Sequence, residues 1–346
     1  MIKVAVVGCG HWGPNHIRNF NSLLEGTAVA AADLDEGRLE YVRKTYPGVR
    51  CEREYKLILD DPNIDAVVVA TPIGTHYEIV RESILAGKHV LCEKPLCANA
   101  KQGEELVELA RSNGLLLMVG HVFLYNPGIV KLKELIDEGE LGTIRYILAS
   151  RTNLGRFQSD ANVAYDLCSH DISIFNWLLG SEPEIVSAMG AAYVQPDVED
   201  IAFVSMKYPN NVLANMHVSW LDPKKVRQIT VVGSRQMATW DDLQLTTPIA
   251  LYDKGATADQ DYYKDYGEFL RLSMWDRDIR LPKVYADEPM KVQAVAFLKS
   301  IQSGYVDRSD GAFGVKVVKA LEAITASMQQ EGTPTRLRSY SEYYSE

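Results

Sequence analysis

Three short stretches carry residues able to do chemistry together. "GCGHWG" (8–13) supplies Gly8, Gly10 and Gly13, "CEKP" (92–95) sets Glu93 and Lys94 before a proline, and "DLCSH" (166–170) places Asp166 four residues ahead of His170. Glycines at that spacing permit a tight turn and let backbone N–H groups approach a pyrophosphate at a helix N-terminus. A carboxylate and an imidazole four apart share one face of a helix. Together they suit removal of a proton from an alcohol, because the imidazole titrates near neutral pH and the carboxylate can orient the ring or a substrate hydroxyl. The same pair also reads as an ordinary helix contact. Lysine is among the residues least often buried, so Lys94, leaving the apolar run "HVLC" (89–92), is either the rim of a solvated turn or an active-site cation.

The elements around these stretches decide how they are held. In the first third, apolar runs at 2–8, 28–33, 64–72, 88–95 and 115–122 alternate with helix-patterned segments at 13–24, 36–47, 76–88 and 99–114. Continuous apolar strands alternating with helices predict a parallel sheet covered on both faces. The glycine motif falls between the first strand and the first helix, and Asp33 lies twenty residues past Gly13 at the end of the next strand. That context is the dinucleotide-binding signature, with the acid on the ribose hydroxyls. Asp33 and Asp35 would repel a 2′-phosphate and no arginine follows Asp33 directly, so NAD is expected over NADP. His11, Trp12 and Leu34 flank this cofactor site; Trp12 either lines the cleft or packs the helix start. "ATPIGTHYEI" (70–79) brings Thr71, Pro72 and His76 to the carboxyl end of the third strand, where open sheets of this kind bind ligands. They are candidates for the nicotinamide half, although His76 reads equally well as a helix-start histidine. Glu93 and Lys94 leave the fourth strand at the same edge.

Beyond residue 120 the texture changes. After a helix at 127–139 come longer strand patterns at 142–154, 182–194, 200–209, 211–221, 226–234 and 236–242, with "YPNN" and "GSRQ" as hairpin turns. Further helices are predicted at 164–179, 289–303 and 311–330, and the polar stretch 252–269 reads as a loop over the sheet. The sheet is predicted to be mostly antiparallel. A chain of 346 residues suggests two domains, here 1–121 and 122–346.

Composition narrows the function classes. A net charge of −10 argues against a nucleic-acid partner. No apolar run reaches the roughly 18 residues of a membrane span, and "MIKVAVVGCG" reads as a strand entering a glycine turn, so a cytoplasmic location is expected. Five cysteines without a CxxC pair fit free thiols in a reducing compartment, with no metal site expected.

Taken together and in order, "VGCGHWG", "ATPIGTHYE", "CEKP" and "DLCSHDISI" resemble the Gfo/Idh/MocA oxidoreductases. The resemblance implies an α/β fold: an N-terminal Rossmann parallel sheet, then a C-terminal α/β domain with an open, mostly antiparallel sheet that often forms a homodimer or homotetramer interface. It implies oxidation or reduction of a secondary alcohol on sugars, inositols or nucleotide sugars. It matches Lys94 to the family lysine and Asp166 and His170 to the catalytic pair. Cys168 and Ser169 depart from the small residues many relatives carry. "GHWGPNHIRNF", "FLYNPGIVKLKELIDEGELG" and "RTNLGR" look like the branch that oxidises carbon 3 of a UDP-linked amino sugar or its uronic acid. On that resemblance Tyr125, Asn126, Arg156 and Tyr165 join Lys94, Asp166 and His170 as substrate-contact candidates. The expected chemistry is hydride transfer to NAD⁺ with His170 as base and Lys94 on the same oxygen, their roles being interchangeable on paper. The competing readings are an inositol or free-sugar dehydrogenase, a glycosidase or epimerase using bound NAD transiently, and a dinucleotide-sensing module.

Overall fold

The five apolar runs of the first third become parallel strands, and the short polar segment Arg50–Glu52, not predicted from the sequence, adds a sixth. In the computed structural model, which describes residues 1–155, 157, 161–258 and 272–337, they are β1 (Ile2–Val7), β2 (Gly26–Ala32), β3 (Arg50–Glu52), β4 (Ala66–Val69), β5 (His89–Glu93) and β6 (Leu117–Gly120). Between them run α1 (Gly13–Asn21), α2 (Glu36–Thr45), the short α3 (Lys56–Leu59), α4 (His76–Leu85) and α5 (Ala100–Ser112). The strand order is β3-β2-β1-β4-β5-β6. Val4 to Val7 and Ala66 to Val69 are buried throughout, as strands covered on both faces must be. The order reverses between β1 and β4, which opens a crevice outside the strands' carboxyl ends. The turns after β1, β4 and β5, carrying Gly8, Thr71 and Lys94, all open onto that edge.

The second sheet follows α6 (Pro127–Asp137). It contains β7 (Ile144–Leu154), β8 (Ile185–Ala191), β9 (Ile201–Tyr208), β10 (Val212–Ser219), β11 (Leu221–Gly233), β12 (Met237–Asp241), β13 (Ile249–Ala258), β14 (Leu272–Arg280) and the short β15 (Thr335–Arg336). The order is β14-β13-β12-β11-β7-β10-β9-β8-β15. Every pairing is antiparallel except β7 with β10. β9 and β10 alternate buried and exposed residues, so one face holds the core around Trp220, Tyr208, Met206 and Phe175 and the other stays open.

Helices α7 (Ser169–Leu179), α8 (Pro289–Ser303) and α9 (Gly311–Gln329) complete the chain. α9 packs on α5 and β6 of the first sheet and on β8 of the second. The approach is close: a Cβ on Gly314 would fall 2.6 Å from Val119 Cγ2.

Two predicted elements are corrected. The pattern at 164–179 is not one α-helix, because Ala164–Cys168 form a π-helical turn before α7 begins. Residues 252–258 belong to β13, not to a loop, and pair with β14. Those strands extend the sheet at its far edge, where the buried alternation of β13 ends after Ile249 and Leu251. The rest of the predicted loop, 259–269, lies outside the described residues.

Candidate active site

The glycine turn after β1 is built by steric necessity. Gly8 has φ +95°, and a Cβ there would sit 2.4 Å from the Ala70 carbonyl oxygen; a Cβ on Gly13 would sit 2.0 Å from the Gly8 carbonyl oxygen. Gly10 meets only the Arg38 guanidinium, at 3.6 Å. Backbone and open space therefore meet at Gly10, beside the N–H groups that the first turn of α1 leaves free. That cradle fits a dinucleotide pyrophosphate. Asp33 is fixed beside it: the Cys9 N–H donates to Oδ2 at 2.7 Å and the Asp35 N–H to Oδ1 at 2.9 Å. Arg38 reaches Asp33 Oδ2 at 3.5 Å. An arginine absent from the positions next to Asp33 in sequence is thus supplied by α2. His11 lines the same hollow with Arg38 and Tyr41. Leu34 is 78% exposed beside it.

A second cleft, of about 150 Å³, is lined by Trp12, Thr71, Pro72, His76, Glu93, Lys94, Tyr165 and Asp166 among others. Trp12 therefore lines the cleft. His76 is a tie as well as a wall: Nδ1 lies 3.0 Å from the Pro95 carbonyl oxygen and Nε2 2.8 Å from that of Thr71. It binds the end of β4 to the Lys94–Pro95 turn, and burial pushes its pKa down.

Lys94 Nζ donates to the Asp166 carbonyl oxygen at 2.8 Å and to Asp166 Oδ1 at 3.0 Å. The other carboxylate oxygen accepts from the Trp220 indole N–H at 3.2 Å. No hydrogen bond joins Asp166 to His170 among the described residues. The π-helical turn breaks the four-residue register, and the carboxylate expected to orient the imidazole or a substrate hydroxyl is tied to the lysine. His170 is braced by the edge of Phe123, with ring centroids 4.9 Å apart, and its buried Nδ1 has no hydrogen-bond partner among the described residues. Burial first, then the charges of Lys94 and Arg151, hold its pKa well below the ordinary value, so the ring is neutral. Next to it Asp171 turns away into a buried pair with Arg151, Nη2 to Oδ1 at 2.7 Å, and that guanidinium lies 4.5 Å over Phe123.

The structure separates the predicted substrate contacts. Tyr165 lines the cleft and its hydroxyl donates to the Ala98 carbonyl at 3.2 Å. Tyr125 does not reach the cleft: it is 2% exposed and bonded to Ser309 Oγ at 3.0 Å inside the core. Asn126 spends its oxygen as the N-cap of α6, accepting from the Gly128 N–H at 2.9 Å, and its amide donates to Asp242. Arg156 lies outside the described residues. Sequence reasoning missed Trp220, Phe123, His16 and His121. Trp220 and Phe123 arrive from distant elements, and no linear spacing links them to Asp166 or His170. His16, one turn inside the glycine-motif helix, carried a signal in its position.

Fold and site together define a dinucleotide-dependent oxidoreductase. The chain belongs to the GFO/IDH/MocA oxidoreductases: residues 2–121 match that family's NAD-binding Rossmann fold and residues 129–239 its C-terminal domain. It is 32% identical over 226 residues to inositol 2-dehydrogenase 2 of Saccharopolyspora erythraea, covering 63% of this chain and 66% of that one. It is 28% identical over 256 residues to UDP-N-acetylglucosamine 3-dehydrogenase of Acidithiobacillus ferrooxidans, covering 74% and 78% respectively. A solved structure of UDP-N-acetylglucosamine 3-dehydrogenase from Acidithiobacillus ferrooxidans shares the fold, with TM-score 0.79 and 24% identity over 95% of this chain and 98% of that one. Among the described residues no helix is long and apolar enough to cross a membrane.

Proposed function

We propose that this chain is an NAD-dependent dehydrogenase that oxidises a secondary hydroxyl of a sugar or polyol, with carbon 3 of a UDP-linked amino sugar or its uronic acid as the preferred substrate. The observation that carries the reading is the Lys94–Asp166 contact at the mouth of the dinucleotide cleft, with a neutral His170 on the helix that follows. Bound NAD⁺ supplies the hydride acceptor. His170, held neutral, takes the hydroxyl proton. Lys94 has two of its three N–H groups on Asp166, which leaves one for the substrate oxygen. Asp166 sets the direction of that donor and accepts from substrate hydroxyls beside it. General acid–base help of this kind supplies roughly 10²–10⁴-fold.

Residues 1–121 are read as the dinucleotide half, with Gly8, Gly10, His11, Gly13, Asp33 and Leu34 on the adenosine and pyrophosphate side and Trp12 in the cleft on the nicotinamide side. Thr71, Pro72, His76, Glu93 and Lys94 lie on the nicotinamide side. Residues 122–346 supply the substrate half. NAD is favoured over NADP because the Asp33 carboxylate is fixed by two backbone N–H groups and is not free to turn away from a 2′-phosphate. The open face of the second sheet presents Tyr146, Leu148, Met189, Phe203 and Leu213. We read it as the surface through which copies of the chain associate, since contiguous exposed apolar patches mark interfaces.

One similarity favours a second substrate, an inositol, because the relative at 32% identity carries that name. The deciding experiment is NADH formation on UDP-GlcNAc, its uronic acid, UDP-glucose, myo- and scyllo-inositol and glucose, each with NAD⁺ and NADP⁺. Turnover on the UDP-sugars supports the reading; turnover on inositols alone replaces the substrate. Silence across the panel with NAD retained through purification points to an enzyme that uses its cofactor transiently.

A further inference from the structure

One buried contact between α1 and the tip of β5 has no task in the reading above. His16 Nε2 lies 2.8 Å from Glu93 Oε1, and the two side chains are 2% and 14% exposed. The second carboxylate oxygen accepts from the Lys94 backbone N–H at 3.3 Å. Glu93 pairs in register with Gly120 of β6. A Cβ there would come 3.0 Å from Glu93 Oε2, so the missing side chain makes the room in which the carboxylate lies. Burial alone would raise the pKa of this acid, but the His16 hydrogen bond and the Lys94 charge outweigh it and hold the carboxyl below its usual range. The result is an ionised side chain in the wall of the cleft, next to Trp12, Pro72 and Lys94.

Taking this carboxylate largely out of water costs it hydration. Lys94 offsets only part of that cost, because its ammonium is hydrogen-bonded to Asp166. The nearest missing positive charge is that of the cofactor. Under the function proposed above, on which this inference rests, the nicotinamide half occupies this cleft, and its ring is positive only when oxidised.

We infer that Glu93, held in place by His16, makes the cleft bind the oxidised cofactor in preference to the reduced one. Glu93 faces the ring. His16 is a positioning residue: it donates to one carboxylate oxygen and keeps the charge against Gly120. Hydride transfer cancels the positive charge, Glu93 then loses its electrostatic partner, and the reduced cofactor is released more readily.

The test is to titrate NAD⁺ and NADH separately, by calorimetry and without sugar, into the unaltered protein and into Glu93→Gln, His16→Gln and His16→Leu. Glu93→Gln keeps the shape and removes the charge. It should weaken NAD⁺ about tenfold and leave NADH within about twofold, as expected for losing one charge at short range in a partly screened site. His16→Leu should shift the ratio the same way, and His16→Gln, which retains an N–H donor, should restore most of it. The double variant His16→Leu/Glu93→Gln should lose no more discrimination than Glu93→Gln alone. Equal weakening of both cofactor forms by Glu93→Gln, or an unchanged ratio in His16→Leu, overturns this inference and leaves the dehydrogenase reading standing. Failure of the unaltered protein to bind either form overturns the cofactor reading itself.

Discussion

Lys94 and Asp166 meet where the first sheet ends and the second begins, with the ammonium 2.8 Å from the aspartate carbonyl oxygen and 3.0 Å from Oδ1. The lysine comes from the tip of β5 and the aspartate from the π-helical turn before α7. The contact is therefore a property of the junction between the two sheets. Lys94→Met should lower kcat by roughly 10²–10⁴-fold while the affinity for NAD⁺ measured by calorimetry changes little. Full turnover on the true substrate in that variant would remove Lys94 from the mechanism.

The dinucleotide hollow predicts a cofactor switch. Asp33→Ser removes the negative charge and leaves Arg38 poised at the same place. Hydrogen bonds to charged groups contribute about 1.5–3 kcal/mol, so the ratio of kcat/KM for NADP⁺ over NAD⁺ should rise roughly 10–100-fold. Adding Arg38→Ala should reverse that gain, and a ratio indifferent to Arg38 would show that the guanidinium does not reach a 2′-phosphate.

Histidines whose pKa is pushed down, His76 among them, make stability fall in acid. His121 has its pKa pushed down to about 3, by burial first and then by Lys94, and His170 moves the same way. Their ordinary value is 6.5. Below it the unfolded chain binds protons that the native state refuses. Each histidine therefore removes about 1.4 kcal/mol of stability per pH unit as pH falls from near 6.5 toward the folded pKa. His121→Leu should flatten that limb by one proton in urea unfolding between about pH 7 and 4; parallel limbs would contradict the assignment.

Arg151 and Asp171 form an ion pair with side chains 3% and 1% exposed. Arg151→Met leaves the aspartate buried alone and should cost about 3–5 kcal/mol, whereas Arg151→Met/Asp171→Leu should recover most of it. Urea midpoints of the single and double variants settle the matter. The single variant should also disturb turnover, because the guanidinium supports the ring of Phe123 that braces His170.

The open sheet face gives a test of assembly. Leu148→Glu with Leu213→Glu places two carboxylates among Tyr146 and Phe203. Sedimentation should then show the protomer at concentrations where the unaltered protein associates. Identical sedimentation of both forms would move the interface elsewhere.

Five strands of the first sheet were legible because they are unbroken apolar runs with turns punctuated by glycine; β3, the polar Arg50–Glu52, has no such run and was missed. The second was legible wherever one strand face packs on α7 and α9, as the alternation in β9 and β10 shows. Most of β13 escaped because its buried alternation ends after Ile249 and Leu251, leaving its polar continuation to read as a loop. In the site, Gly8, Gly13, Asp33, Lys94, Asp166 and His170 announce themselves by residue type and spacing. The partner of Asp166 did not: a helix of 3.6 residues per turn would have aimed it at His170, and one π-helical turn re-aims it at Lys94 and Trp220. Tyr125 and Asn126 entered as substrate-contact candidates through the family resemblance, and a polar atom on a 3₁₀ turn or at an N-cap looks the same in sequence whether it meets substrate or backbone.

α9 also constrains the order in which the molecule can be made. β6 and α5 emerge from the ribosome long before α9, yet their apolar residues Leu117, Val119 and Val107 are covered by Gly311, Gly314 and Val315 of that helix. During synthesis at ~5–20 residues per second, the dinucleotide half waits many seconds with this flank bare. Its six strands are all synthesised by Gly120, so what α9 adds on docking is the cover over this flank.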